Sequence, residues 1–256
     1  MASMTNAGTG SRSEMDSSGY DAFAWFFNKY WCREIPEQMM LAVEQLLLPR
    51  VPQPARLLDL CCGTGQLAAA LSQRGYDVTG IDNSSEMLRY ARLNAPAARF
   101  IEADARRFNL PESFDAIVST FDSLNHFLSI KELSMVFGQA RQALAPAGFF
   151  LFDMNIERGF LDHWTDYFAV VGEHEVCVLR GEYDARLKLG RYRITMFRQH
   201  GGDWQRADTV VSERCYEQRQ IKRELKRAGF SEVLSFDAAA DLGLTDHTGR
   251  IFFLAR

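Results

Sequence analysis

The segment that decides the fold reads Asp59-Leu60-Cys61-Cys62-Gly63-Thr64-Gly65. The apolar run from Arg56 to Leu60 predicts a buried β-strand, and residues 66–73 have the apolar spacing of a helix. Glycines between a strand and a helix allow a tight turn and let a ligand approach the backbone closely. The segment therefore predicts a strand-turn-helix unit with a ligand site at the turn.

The same alternation of a short apolar run with a helical segment continues downstream. Asn83 is expected to begin the second helix, with Glu86 in the capping-box position. Pro146 and Gly148 are expected to end a later helix, which spans residues 131–144. This alternation predicts crossover units that build a doubly wound, mostly parallel α/β sheet. The first five predicted strands are 56–60, 76–81, 98–103, 114–120 and 149–153.

After Asn155 the pattern changes to closely spaced apolar runs, which predicts an antiparallel β insertion over residues 156–211. The runs cover 167–171, 174–183, 187–199 and 208–214, and Gly201-Gly202-Asp203 predicts a hairpin turn. A helix over 217–228 and two edge strands, 232–236 and 250–255, follow. Residues 51–155 and 212–256 are thus predicted to form one Rossmann-like domain interrupted by the insertion.

The N-terminal part divides in two. Residues 1–18 are rich in Ser, Thr, Gly and Asn, which predicts a disordered tail and neither a signal peptide nor a membrane anchor. Residues 19–50 carry aromatic side chains at helical spacing, among them Tyr20, Phe23 and Trp31, and predict a helical lid.

The composition limits the partners. A formal net charge of -4 argues against nucleic acid, because affinity for nucleic acid comes mostly from Lys and Arg that neutralise phosphates. The 5 cysteines lack metal-ligand spacing, so we expect reduced thiols in a cytoplasmic protein and no metal. We expect a small-molecule substrate, no nucleic acid or membrane partner, and a monomer or homodimer.

Acidic residues stand at the ends of three neighbouring strands: Asp59, Asp82 and Asp104. These acids would repel a pyrophosphate, whereas S-adenosylmethionine carries an ammonium and a sulfonium but no phosphate. Asp59 is therefore assigned to the ammonium group and Asp82 to both ribose hydroxyls. Asp104, with the amide of Ala105, is assigned to the adenine edge.

A nicotinamide-dependent oxidoreductase remains an alternative on the sequence alone. Gly63, Gly65 and Ala68 satisfy the dinucleotide-binding glycine pattern, and Asp82 follows at close to the ~20 residues expected for a ribose-binding acid. A binding protein without catalytic activity also stays open.

The chain resembles the class I methyltransferases, and within them small bacterial members with a Tyr-Asp-x-Phe-Ala opening segment and a β insertion after strand five. The likeness covers residues 20–256 and implies S-adenosylmethionine as cofactor, strand order 3-2-1-4-5-7-6 with strand seven antiparallel, and Tyr20 closing over the cofactor. It rests on Tyr20-Asp21-Ala22-Phe23-Ala24, Asp59 to Gly65, Ile81-Asp82, Ala103-Asp104, Asp122-Ser123-Leu124-Asn125-His126 and Arg250-Ile251-Phe252-Phe253.

These observations predict methyl transfer to a nitrogen or oxygen of a small-molecule acceptor. His126 follows strand four and is the candidate general base, because its near-neutral pKa suits removal of a proton; a structural histidine is the alternative. Substrate candidates are Phe121, Asp122 and Trp31. The cofactor-binding candidates are Tyr20, Asp59, Cys61, Gly63, Gly65, Asp82, Asn83, Met87, Asp104, Ala105 and Thr120.

Two further hypotheses concern the surroundings of this site. Asp122, Asp153 and Asn155 are oxygen ligands that could hold Mg²⁺, but they lack the adjacent Asp-Asn of magnesium-dependent relatives, and a site without metal is favoured. The β insertion is expected either to cover the substrate or to form a dimer contact. Its arginines, available to meet an acidic group or simply solvated, are Arg180, Arg191, Arg193 and Arg198.

Overall fold

The structure, a computed structural model, describes residues 18–31, 35–111 and 113–256. The tail predicted over residues 1–18 lies outside the described residues, apart from Ser18, where the first helix begins. The strands are β1 Arg56–Leu60, β2 Asp77–Asp82, β3 Arg99–Glu102, β4 Phe114–Ser119, β5 Leu144–Asn155, β6 Tyr167–Val171, β7 Glu175–Asp184, β8 Leu189–His200, β9 Asp203–Arg214, β10 Val233–Asp237 and β11 Arg250–Ala255.

The α-helices of the described ranges are α1 Ser18–Phe26, α2 Ile35–Leu46, α3 Gln66–Gln73, α4 Ser85–Asn94, α5 Ile130–Ala143, α6 Glu157–His163 and α7 Gln218–Arg227. A π-helical turn, Phe27–Trp31, follows α1, and 3-10 turns occur at Leu48–Arg50, Ser123–His126 and Thr245–His247. Within the described ranges, no helix combines the length and apolarity needed to cross a membrane.

A seven-stranded sheet forms the centre of the molecule, in the order β10-β11-β5-β4-β1-β2-β3. The first five strands run parallel, whereas β11 is antiparallel to both β5 and β10. This confirms the predicted order 3-2-1-4-5-7-6 with an antiparallel seventh strand. The carboxyl ends of β1 to β5 therefore meet at one edge of the sheet.

Both faces of this sheet are covered by helices. Phe150 and Phe152 on β5 point to one side and pack in a core with side chains of α5 and α7. Leu151, between them, points to the other side and packs in a core with α2 and α3. This alternation is the two-residue period of a strand buried on both faces, as the doubly wound prediction requires.

The insertion forms a separate four-stranded antiparallel sheet, in the order β6-β7-β8-β9. The predicted Gly201-Gly202 turn is confirmed, with His200 paired to Asp203 across it, so β9 begins five residues before the predicted start at Asp208. Helix α6 was not predicted from the sequence. Phe23 and Phe26 of α1 are buried against the inner face of this sheet.

One predicted helix start is wrong. Ser84, and not Asn83, caps α4: its hydroxyl accepts the Met87 amide at 3.1 Å. The predicted capping box fails because, with Ser84 as the cap, the third helical position is Met87 and not Glu86, and the Glu86 amide donates to Asp21 instead.

The end of α5, predicted at residue 144 before Pro146 and Gly148, is confirmed to within one residue, whereas β5 begins five residues before its predicted start at Phe149. The helix ends at Ala143 and β5 begins at the next residue, so the proline lies inside the strand. Ala147 has a φ of 63° there, and the pairing with β4 is irregular between Phe114 and Ala116. A bulge therefore accommodates the proline at this point.

Candidate functional site

A cavity of about 1080 Å³ opens at the carboxyl edge of β1 to β5, between the sheet, α1 and the β insertion. It brings together nearly every site residue predicted from the sequence. Those that line it are Tyr20, Trp31, Asp59, Cys61, Gly63, Asp82, Asn83, Met87, Asp104, Ala105, Thr120, Phe121, Asp122 and His126.

Gly65 is the predicted site residue that does not line this cavity. Its φ is 81°, and a Cβ added there would lie 2.9 Å from the Cα of Ala91 on α4. The glycine is therefore required for close packing of the turn against α4. Gly63 does line the cavity, and its amide donates to Asp82 at 2.9 Å.

Asp59 provides a buried acid at the end of β1. The residue is only 2% exposed, and its Oδ2 atom has no hydrogen-bond partner. Burial raises the pKa of the carboxyl to about 7, the charge of Asp82 adds to the rise, and the Ala68 amide partly opposes it. A buried carboxylate oxygen without a donor fits a cationic ammonium group.

Asp82 lies beside it at the end of β2. Its two oxygens accept the amides of Gly63 and Ser84, each at 2.9 Å, which fixes the orientation of the carboxylate. Burial raises the pKa of this carboxyl, and the amide hydrogen bonds lower it in part. Each oxygen keeps a second lone pair, so the group can still accept a pair of hydroxyls.

Asp104 differs from these two acids because a guanidinium already occupies its carboxylate. Arg106 donates to both oxygens, with an Nη2 to Oδ2 distance of 2.8 Å, and also contacts Glu132 at 2.7 Å. Burial raises the pKa of Asp104, but the hydrogen bonds from Arg106 outweigh it and the pKa is lowered. The carboxylate is thus ionised and held by the protein, which the assignment to adenine did not foresee.

Hydrogen bonds hold helix α1 and the turn that follows it over the glycine turn. The Asp21 carboxylate accepts the Ser84 hydroxyl at 2.5 Å and the Glu86 amide at 3.3 Å. Asn28, in the following π-helical turn, accepts the Asn94 amide at 2.7 Å. These contacts hold Tyr20 against the sheet edge.

Tyr20 and His126 form a hydrogen-bonded pair in the cavity. The Nδ1 atom of His126 lies 2.9 Å from the carbonyl oxygen of Ser212, which can only accept, so Nδ1 carries the proton. Nε2 then accepts the Tyr20 hydroxyl at 2.7 Å. Burial lowers the pKa of His126, although the Ser212 carbonyl and Asp122 oppose the change, and the neutral ring keeps a basic nitrogen at Nε2.

A buried charged cluster follows β4 and β5, and the sequence did not predict it. Asp153 accepts the amides of Phe121 and Asp122 at 2.7 and 2.9 Å, which holds both residues at positive φ. Arg250 from β11 contacts Asp153 and lies 3.3 Å from Asp122. Asn155 donates to Asp122 from the other side.

The cluster contains the three residues that the magnesium hypothesis named, Asp122, Asp153 and Asn155. The carboxylates of Asp122 and Asp153 are directed at the guanidinium of Arg250, which takes the place a cation would need. Within the described part of the chain, no group of three His, Cys, Asp or Glu side chains is arranged to hold a metal ion.

Glu213 is an acid of the site that sequence reasoning missed. It lies on the inner face of β9, is 4% exposed, and its Oε1 is 3.4 Å from His126 Nε2. Its Oε2 atom has no hydrogen-bond partner. Burial, followed by the charge of Asp122, raises the pKa of Glu213 well above its ordinary value. The sequence did hold a signal for this acid: Glu213 follows the apolar Val211 by two residues, so both side chains point to the same, inward face of the strand.

Comparison with known proteins agrees with this geometry. Residues 57–148 match the family model of a methyltransferase domain. A protein of Geobacillus sp. (strain WCH70) that is named a methyltransferase is 29% identical, over 93% of this chain and 99% of the relative. An N,N-dimethyltransferase of a dTDP-amino sugar from Streptomyces venezuelae is 32% identical, over 41% of this chain and 45% of the relative.

Solved structures share the fold along most of the chain. An S-adenosylmethionine-dependent methyltransferase from Clostridium acetobutylicum ATCC 824 superposes with a TM-score of 0.76 at 23% identity, covering 93% of this chain and 98% of that one. An amino pentose methyltransferase from Micromonospora echinaspora, with S-adenosylmethionine bound, superposes with a TM-score of 0.69 at 21% identity. The match covers 90% of this chain and 95% of that one. Residues 57–148 therefore match a methyltransferase domain, and most of the chain shares the fold of S-adenosylmethionine-dependent methyltransferases.

Proposed function

We propose that the protein transfers a methyl group from S-adenosylmethionine to a nitrogen or oxygen atom of a small-molecule acceptor. The observation that carries this proposal is the single cavity, lined both by the strand-end acids Asp59 and Asp82 and by the pair Tyr20 and His126. Cofactor and acceptor would therefore share one volume under α1, shielded from water, where alignment accounts for most of the rate.

The protein groups that would hold the cofactor follow from their chemistry. The free Oδ2 of Asp59 suits the ammonium group, and the fixed carboxylate of Asp82 suits the ribose hydroxyls. The amide of Ala105 remains the candidate for adenine, since the neighbouring Asp104 is engaged by Arg106. When bound, the cofactor supplies an electrophilic methyl group on a sulfonium. Further cofactor contacts are proposed for Tyr20, Cys61, Gly63, Asn83, Met87 and Thr120.

On the acceptor side, His126 is proposed as the base. Because Nε2 is unprotonated and accepts the Tyr20 hydroxyl, a proton from the acceptor can reach it either by displacing Tyr20 or through the tyrosine hydroxyl. Phe121, Asp122 and Trp31 line the same cavity and are proposed to position the acceptor.

The β insertion is proposed to cover the acceptor. Its inner face contributes Tyr192, Val211 and Glu213 to the cavity. Of the four arginines singled out from the sequence, Arg191 and Arg193 line the cavity. Arg180 and Arg193 both pair with Glu182, and Arg198 lies over the ring of Trp25.

The names of the relatives support a small acceptor without fixing its reactive atom. They include dTDP-amino-sugar N,N-dimethyltransferases, a glycine/sarcosine N-methyltransferase and a trans-aconitate 2-methyltransferase. A pyrophosphate dinucleotide fits the edge less well, because it would face the buried carboxylates of Asp59 and Asp82.

The test is release of S-adenosylhomocysteine from S-adenosylmethionine by the purified protein, with a panel of small amines, alcohols and carboxylates. Turnover with at least one amine or alcohol, and methyl transfer to its heteroatom shown by mass spectrometry, supports the proposal. Binding of S-adenosylmethionine without turnover on any compound of the panel counts against it and favours a protein that binds the cofactor without catalysis.

A further inference from the structure

The buried charges around Glu213 are more negative than positive, since the other cavity arginines, Arg191 and Arg193, are not buried. Asp122, Asp153 and Glu213 are all buried there, and the guanidinium of Arg250 lies among them. Arg250 contacts the two aspartates, and no ion pair within 4.0 Å joins it to Glu213 in the described structure. The positive charge of Arg250 is therefore paired with the two aspartates and not with Glu213.

Glu213 has one oxygen without a partner. Its Oε1 lies near His126 Nε2, while Oε2 is buried and has no hydrogen bond, although the residue lines the cavity. The side chain is 6% exposed, so water does not replace the missing partner over most of its surface. A ligand that donates a hydrogen bond in the cavity would satisfy this oxygen.

The sign of the surrounding charge selects among the acceptor classes. A carboxylate acceptor would be repelled by Asp122 and Glu213, and an alcohol would bring a donor but no compensating charge. An amine brings both a hydrogen-bond donor and a positive charge, because it is mostly an ammonium ion at neutral pH. An ammonium next to Glu213 would also favour the ionised form of the carboxyl and so reverse the effect of burial on its pKa.

We propose that Glu213 binds the acceptor as a primary or secondary amine, with Oε2 accepting an N–H of the ammonium group, while His126 remains the base that takes the proton. This inference rests on the proposed methyltransferase function and narrows its acceptor to amines.

The proton and electron balance of the step is simple. The ammonium gives one proton to Nε2 of His126, so the ring becomes an imidazolium and the acceptor nitrogen gains a free lone pair, while Glu213 stays ionised. That lone pair forms the bond to the methyl carbon while the carbon–sulfur bond breaks, and the electron pair of the broken bond stays on sulfur as a neutral thioether. The product is the methylated ammonium ion, and His126 returns its proton to solvent when the product leaves.

Matched probes test this assignment on the full-length protein saturated with S-adenosylhomocysteine. The probes are sets of an amine, an alcohol and a carboxylate on the same carbon skeleton, beginning with cyclohexylamine, cyclohexanol and cyclohexanecarboxylate. Affinities are measured by calorimetry at one pH for wild type, Glu213→Gln and the control Glu232→Gln, an exposed acid next to β10 that does not line the cavity.

We expect wild type and Glu232→Gln to prefer the amine of each set. We expect Glu213→Gln to lose about 10- to 100-fold in amine affinity, the range for one hydrogen bond to a charged group, with alcohol affinity unchanged. Glu213→Asp keeps the charge and should keep part of the amine preference, which a purely structural role would not produce. S-Adenosylhomocysteine affinity within about twofold of wild type shows that the variants are folded.

Several results would overturn the inference: no amine binding by wild type, equal amine affinity in Glu213→Gln, or a preference for carboxylates. The same panel in the turnover assay separates this failure from failure of the proposed function. Methylation of alcohols but not amines would leave the function standing and remove the role of Glu213. Absence of turnover on every compound would remove the function itself.

Discussion

The cavity has two halves that are built in different ways. The cofactor half consists of β1, the glycine turn and the end of β2, so that Asp59, Gly63 and Asp82 lie within one stretch of the chain. The acceptor half joins His126, Glu213 and Arg250, which come from the turn after β4, the insertion and the last strand. The difference teaches that one half depends on local geometry, whereas the other depends on the completed fold.

If the halves are separate, a change in the acceptor half should alter turnover and leave cofactor binding intact. The largest effect is expected for His126→Asn. Loss of a general base lowers turnover by about 10²- to 10⁴-fold, while the affinity for S-adenosylmethionine stays unchanged. Steady-state kinetics and calorimetry check this, with exposed His200→Asn as the matched control. An equal fall in turnover and cofactor affinity would show that the histidine is structural.

The next largest effect concerns the stability of the acceptor half. Arg250→Met leaves the buried carboxylates of Asp122 and Asp153 without their guanidinium, and breaking a buried pair of this kind costs about 3–5 kcal/mol. Urea unfolding should show this loss, while Arg256→Met, which is half-exposed, should change stability by less than about 0.5 kcal/mol. A loss for Arg250→Met no larger than that of the control would mean that the cluster does not stabilise the fold.

In the cofactor half, Asp59→Asn should act on affinity. Removing the charge that faces the ammonium group lowers the affinity for S-adenosylmethionine by about 10- to 100-fold, because the amide keeps the shape but not the charge. Asp77→Asn, at the exposed start of β2, is the control. Unchanged affinity in Asp59→Asn would remove the ammonium assignment.

The smallest predicted effect is a pH dependence of the free protein. The carboxyl of Asp59 has a pKa of about 7 in the folded state, above the ordinary value of an unfolded chain, so the folded state keeps its proton longer. Its contribution to stability is complete at low pH and is lost as the pH rises through 7. Between pH 6 and 7, wild type should lose about 1 kcal/mol relative to Asp59→Asn in urea unfolding. If the difference in unfolding free energy between wild type and Asp59→Asn stays constant from pH 6 to pH 7, the pKa of Asp59 is not about 7.

The same division explains what could be predicted from the sequence. The strand-turn-helix unit, the acids after β1 and β2 and the parallel sheet follow from short-range spacing, and β11 was predicted over its observed range, residues 250–255. Glu213 and Arg250 received no role, because their meaning depends on contacts with residues far away in the chain. The Tyr20 to His126 hydrogen bond, for example, joins residues 106 positions apart.

The local errors have physical reasons of the same kind. From the sequence Asn83 looks like the helix cap, but in the structure the Asp21 carboxylate of α1 accepts the Glu86 amide that this cap would have bound. From the sequence Asp104 looks like a free acid, but in the structure Arg106 donates hydrogen bonds to its carboxylate. In both cases a nearby side chain competes for the group that the pattern had assigned.

The most direct test of this two-part cavity is a crystal structure with S-adenosylhomocysteine bound. We predict its amino group within hydrogen-bond distance of Asp59 Oδ2, its ribose hydroxyls on Asp82, and its sulfur facing the side of the cavity that holds His126 and Glu213. A ligand bound with its amino group away from Asp59, or with its sulfur turned away from His126, would contradict the account.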